Sequence, residues 1–77
     1  MTIKHVVTTS DGRYYKLQRD NGQTHTIRLT TFSVLTEQIA AEWLIGGRWL
    51  TLVRDAKQHH ASDEAFLRNT VIPIVAN

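Results

Sequence analysis

The stretch RYYKLQRDNGQTHTIRL, residues 13–29, limits the fold more tightly than any other part of this chain. Two runs rich in β-branched and aromatic residues flank Asp20, Asn21 and Gly22, and Asn-Gly is the favoured pair where a tight turn needs positive φ. A third run of the same composition, Ile3 to Thr8, precedes them across Ser10, Asp11 and Gly12. Together they predict a three-stranded antiparallel meander over residues 1–30. Because successive strand residues point to opposite sides, the meander sorts into two faces. Ile3, Val7, Tyr15, Leu17, Ile27 and Leu29 make an apolar face. Lys4, Val6, Tyr14, Lys16, Gln18, Thr26 and Arg28 make a polar, basic one.

After the meander, Phe32, Leu35, Ile39 and Trp43 recur at spacings of three and four, with Ala40 and Leu44 beside them. That stripe predicts an amphipathic helix over 31–45, capped by Thr31 or Ser33 and ended by Gly46, lying across the apolar face. Residues 48–54 fit a helix as well as a strand, and the β-rich run after a glycine pair favours a fourth strand. Asp55 with Gln58, and Ser62 with Asp63 and Glu64, read as helix starts and predict helical structure over 56–70. The tail, 71–77, has strand composition, with Pro73 confining it to an edge. The expected fold is therefore α+β: a single small domain, 1–77, with a three- or four-stranded antiparallel sheet, one amphipathic helix and short C-terminal helical segments.

A core of this size is lean, so association with a second copy or a partner would help it; a homodimer is one expectation. The chain has no cysteine, which removes disulfides, thiolate metal sites and thiol nucleophiles and suits a reducing compartment. Nothing at the start resembles a signal-peptide core, and no uncharged run reaches the ~20 residues of a membrane helix. A cytoplasmic protein without a membrane partner is expected. The net charge of +2 is unevenly placed. Lys4, Arg13, Lys16, Arg19 and Arg28 face only Asp11 and Asp20 within residues 1–30, whereas residues 31–77 are slightly acidic. Such asymmetry fits an anionic partner.

No sequence pattern names a reaction. His59, His60, Ser62 and Asp63 have the residue types of a hydrolytic triad, but neighbours in sequence do not fold into its relay. Phosphate-cradling glycine loops, nucleophile elbows and zinc-protease motifs are missing, so a non-catalytic protein without cofactor or metal is expected. His59 with Asp63, or His60 with Glu64, would share a helix face at ligand spacing, and His5 could approach His25 if the first and third strands paired. Neither set alone offers three converging ligands. A helix-turn-helix over 34–58 fails on the spacing of Ala41 and Val53 about Gly46 and Gly47.

The leading expectation is nucleic-acid binding by the basic ribbon. Lys4, Arg13, Lys16, Arg19 and Arg28 would meet phosphates, Tyr14 would stack on a base, and Gln18 would touch a base edge. In outline, a basic ribbon followed by an amphipathic helix resembles the small three-strand-plus-helix DNA-binding domains of recombinases. The rival expectation is a protein-interaction module, such as an adaptor or an inhibitor of a larger assembly, including a mobile-element accessory protein. It would use a sheet edge or the neighbourhood of Ile45 and Trp49, since exposed tryptophans dominate protein interfaces.

Overall fold

The structure, a computed structural model, describes residues 1–33 and 37–76. Five strands, β1 (Thr2–Thr9), β2 (Gly12–Gln18), β3 (Thr24–Ser33), β4 (Glu37–Ile45) and β5 (Arg48–Ala56), form one antiparallel sheet in the order β1-β2-β3-β4-β5. A 3-10 turn, Lys57–His59, leads to the helical C-terminus: α1 (Asp63–Phe66), a π-helical turn (Leu67–Val71) and α2 (Ile72–Val75). The α+β class and the antiparallel sheet are as the sequence implies, but the strands number five, not three or four. Among the described residues, no helix is long and apolar enough to cross a membrane.

The helix expected over 31–45 does not form. Residues up to Ser33 extend β3, and Glu37–Ile45 is a strand; Leu35, part of the expected stripe, lies outside the described residues. The reason is that the segment carries two apolar periods at once. Ile39, Ala41 and Trp43 also alternate, and pairing between β3 and β4 turns all three toward the core, opposite Thr31, Leu29 and Ile27. Gly46 ends no helix either. Gly46 and Gly47, both at positive φ (58° and 75°), make the two-residue turn from β4 to β5 that Ile45 and Arg48 close as a pair.

The apolar side of the sheet is covered by the C-terminal helical segment. Phe66, Leu67, Val71 and Val75 are buried against Leu17, Ile27, Leu29, Ile39 and Ala41, and Ile3, Tyr15, Trp43, Leu52, Val53 and Ile72 pack around them. Ser62 starts the helix as the sequence implies, its Oγ accepting from the Ala65 N–H at 3.1 Å. The tail expected as an edge strand instead continues this helix through Val75. Leu67, Val71 and Val75 recur every four residues, and the helix lays all three, with Phe66, against the sheet. Pro73 is tolerated because the preceding turn is π-helical, with the Ile72 N–H bonded to the Leu67 carbonyl. This wider turn takes up the helix distortion that an interior proline demands.

Two bulges reset the faces. In β1, His5 opposes Tyr15 but Val7 opposes Tyr14, so Val6 is unpaired and Val7, expected in the core, stands on the uncovered face, 45% exposed. In β5, Ala41 opposes Val53 but Glu42 opposes Thr51, leaving Leu52 unpaired. Truncating Phe66 to alanine should lower the unfolding free energy by about 3–5 kcal/mol, measured by urea denaturation, because the emptied volume lies between helix and sheet.

Candidate nucleic-acid interface on the uncovered sheet face

One sheet face is buried under the helix; among the described residues, no element lies over the other. Cross-strand pairing places its side chains in rows. One row reads Lys4, Lys16 and Thr26 across β1 to β3, and Leu44 pairs with Trp49 across β4 and β5. The next reads Val7, Tyr14, Arg28, Glu42 and Thr51. Beyond them come Thr30, Ala40 and Arg54, then Phe32 and Gln38. At the opposite end Gln18, exposed, stands between Thr2 and Thr24.

At the centre of this face, Arg28 donates from Nε and Nη2 to the two oxygens of Glu42, at 3.1 and 2.9 Å. Its guanidinium lies over the Trp49 ring, 4.3 Å from the centroid, and Tyr14 meets the same indole edge-on at 5.9 Å. Hydrogen bonds to Glu42 and Tyr14 hold the Arg28 pKa above its usual value against the opposing effect of burial. Arg28 is therefore a paired, stacked cation that keeps Trp49 and Tyr14 in place. Lys4 and Lys16 differ. They oppose each other directly on β1 and β2, both are exposed, and neither has an acidic partner among the described residues. Like charges in that position repel, so the pair carries a stability cost that an anion would relieve.

Two of the expected phosphate contacts point elsewhere. Arg13 lies on the helix side, its guanidinium donating to both oxygens of Asp63 (2.5 and 3.0 Å) and to Thr31 Oγ1 (2.9 Å), while the Tyr15 hydroxyl donates to the same Asp63 carboxylate at 2.8 Å. Arg19 donates to His25 Nε2 (2.9 Å) and to the Val75 carbonyl (2.6 Å), so it satisfies the end of the helix. Their residue type marked them as free cations; partners 50 and 56 residues away in sequence make them structural. Ile45 and Trp49, expected as one partner-binding surface, stand on opposite faces, because Ile45 pairs with Arg48 and Trp49 with Leu44. The sequence reading also overlooked Glu42 and Arg54. Arg54 lies on the uncovered face, its guanidinium 5.8 Å from the Phe32 ring centroid.

The histidines are dispersed. β2 separates β1 from β3, so His5 meets Thr8 and Tyr15, while His25 meets Arg19 and Trp43. Burial, reinforced by the Arg19 charge, pushes the His25 pKa down. His59 and His60 precede the helix instead of sharing a face with Asp63 and Glu64. Both bond Asp55, at 2.9 and 2.7 Å, and these bonds, that from His60 foremost, lower the Asp55 pKa. Among the described residues no group of three or more acidic, histidine or cysteine side chains is arranged to hold a metal ion. No protein-family model, no curated protein and no solved structure matches this chain.

The Asp63 cluster gives a pH signature. Burial raises the Asp63 pKa, but hydrogen bonds from Arg13 and Tyr15 and the Arg13 charge outweigh it and hold the carboxyl below its ordinary value. The resulting stability is complete above the unfolded-state pKa and lost as pH falls through the folded one. Asp63→Asn should cost about 1–3 kcal/mol at neutral pH, and its deficit against the parent should shrink in acid, both read from urea melts at a series of pH values. Burial, then the bond to Asp63, pushes the Tyr15 phenol up to about 12. A tyrosinate absorbance titration should show a step near that pH that Tyr15→Phe removes.

Proposed function

We propose that the uncovered sheet face binds a single strand of nucleic acid. The observation that carries this reading is the charge of that face: Lys4, Lys16, Arg28 and Arg54 stand there against one carboxylate, Glu42. Asp55, Asp63 and Glu64 belong to the helix side or to the helix itself, and Asp11 and Asp20 to turns. Net cationic charge on one face attracts a phosphate backbone, and its binding releases counterions. Lys4, Lys16 and Arg54 meet phosphates in this reading, and Thr26 bonds the backbone. Tyr14 and Trp49, both half-buried on that face, offer ring surface for stacking. A single strand suits such a face better than a duplex, whose bases are already stacked and whose major groove takes a projecting helix or ribbon.

Arg28 has a supporting part here, holding Trp49 while it pairs with Glu42. Arg13 and Arg19 have none. This division separates the present reading from one in which every cation of the ribbon counts equally. Fluorescence anisotropy with labelled single-stranded oligonucleotides across a salt series tests it. Lys4→Ala with Lys16→Ala should weaken binding for all sequences and flatten the log-log salt dependence by about 0.7 per lost contact. Trp49→Ala should weaken binding with little change in that slope. Absence of binding by the parent protein at low salt would remove the reading and leave the face to a protein partner.

A further inference from the structure

The free edge at β5 carries a second kind of information. Leu50 is the most exposed large apolar side chain among the described residues, 53% exposed, and it sits on this outermost strand. The bulge at Leu52 gives β5 an unusual symmetry. Arg48, Leu50, Val53 and Asp55 share the helix side of the sheet, opposite Ile45, Trp43, Ala41 and Ile39; Trp49 and Arg54 share the uncovered side, opposite Leu44 and Ala40.

In a regular strand, two copies related by a twofold axis place same-face residues opposite each other only when their residue numbers sum to an even value. The extra residue in β5 reverses that parity. When the axis passes between Thr51 and Leu52, Arg48 faces Asp55 of the second copy and Leu50 faces its Val53, all on the helix side. On the uncovered side, Trp49 faces Arg54 of the second copy. Each contact occurs twice, and each is favourable: an ion pair, an apolar pair and a cation over an indole. With the axis at Thr51, by contrast, Arg48 would face Arg54. An edge bulge ordinarily discourages pairing, but here it lies at the symmetry axis, and its local twist is the same in both copies.

We infer that this chain forms a twofold-symmetric dimer by antiparallel pairing of β5 with β5 of a second copy, in the register that sets Leu50 against Val53. The occupant is a second copy because the strand complements itself in charge. The other edge, β1, carries Lys4 and no acidic residue, so it offers Lys4 no opposite charge in any register and keeps a cation at its rim. Asp55 has room for the contact: it accepts from the Ala56 N–H, His59 and His60, and a carboxylate offers about four acceptor sites. The pairing joins two five-stranded sheets into one, with both helices on the same side and both uncovered faces continuous. Trp49 and Arg54 of the uncovered face enter this contact as well, but mass and crosslinking report the dimer whether or not that face binds anything.

Sedimentation equilibrium across a concentration series should give a mass rising from 8.8 kDa toward twice that value. Leu50→Glu should hold it at the single-chain mass with unchanged far-ultraviolet circular dichroism; if that variant does not fold, Arg48→Glu on the exposed rim decides the point. Since the chain has no cysteine, introduced thiols report the register. Mixed Leu50→Cys and Val53→Cys proteins should form a disulfide between them much faster than either protein alone. A parent protein that stays at the single-chain mass, a folded charge variant that still dimerises, or crosslinking equal in the separate and mixed proteins would overturn the inference.

Discussion

The carboxylate of Asp63 is the joint on which the rest of this structure turns. It sits in the first turn of the helical segment, where a negative charge is favoured, and takes hydrogen bonds from Arg13 and Tyr15 on β2. Ser62 caps the same turn. At the far end Arg19, just beyond β2, donates to the carbonyl of Val75. The segment is thus tied to one neighbourhood of the sheet at both termini, and Phe66, Leu67, Val71 and Val75 fill the space between. Hydrophobic burial supplies the attraction, and the polar ties fix where along the sheet the helix rests. Without them, a short, π-distorted segment would have little to specify its position.

Covering one sheet face in this way makes the other available. A five-stranded sheet with a helix on one side presents a broad wet surface, and this chain furnishes it with an Arg28–Glu42 pair, two aromatic rings and an unpaired lysine row. The paired and unpaired cations have different consequences. Arg28 is locked by partners and shapes the surface, whereas Lys4 and Lys16 repel one another until something neutralises them. The bulges serve the same division, since the one in β1 moves Val7 beside Tyr14 and the one in β5 brings Arg54 to the uncovered side while Val53 remains against the core.

Much of the N-terminal half was legible from residue order alone. Asn21 and Gly22, like Asp11 and Gly12, announce their turns, and the alternation through Tyr15, Leu17, Ile27 and Leu29 identifies the buried face, because turn chemistry and period-two patterning are local properties. The Ser62 cap was legible for the same reason. The segment from Phe32 to Leu44 misleads because Ile39 and Trp43 fit both a helical and a strand period, and a local reading contains nothing that chooses between them. Pairing with Ile27, Leu29 and Thr31 makes that choice, and it is a tertiary event.

The fate of the charges divides along the same line. Sequence determined that cations cluster in the first thirty residues and that no thiol chemistry is open to the chain. Only the tertiary structure decided which cations remain free. Arg13 and Arg19 found acceptors on the distant helical segment and Arg28 on the neighbouring strand, while Lys4 and Lys16 were set against each other. The physical reason is range. Turn residues and side-chain alternation act between neighbours, but a hydrogen-bond partner tens of residues away becomes a neighbour only when the sheet has formed and the helix has settled on it.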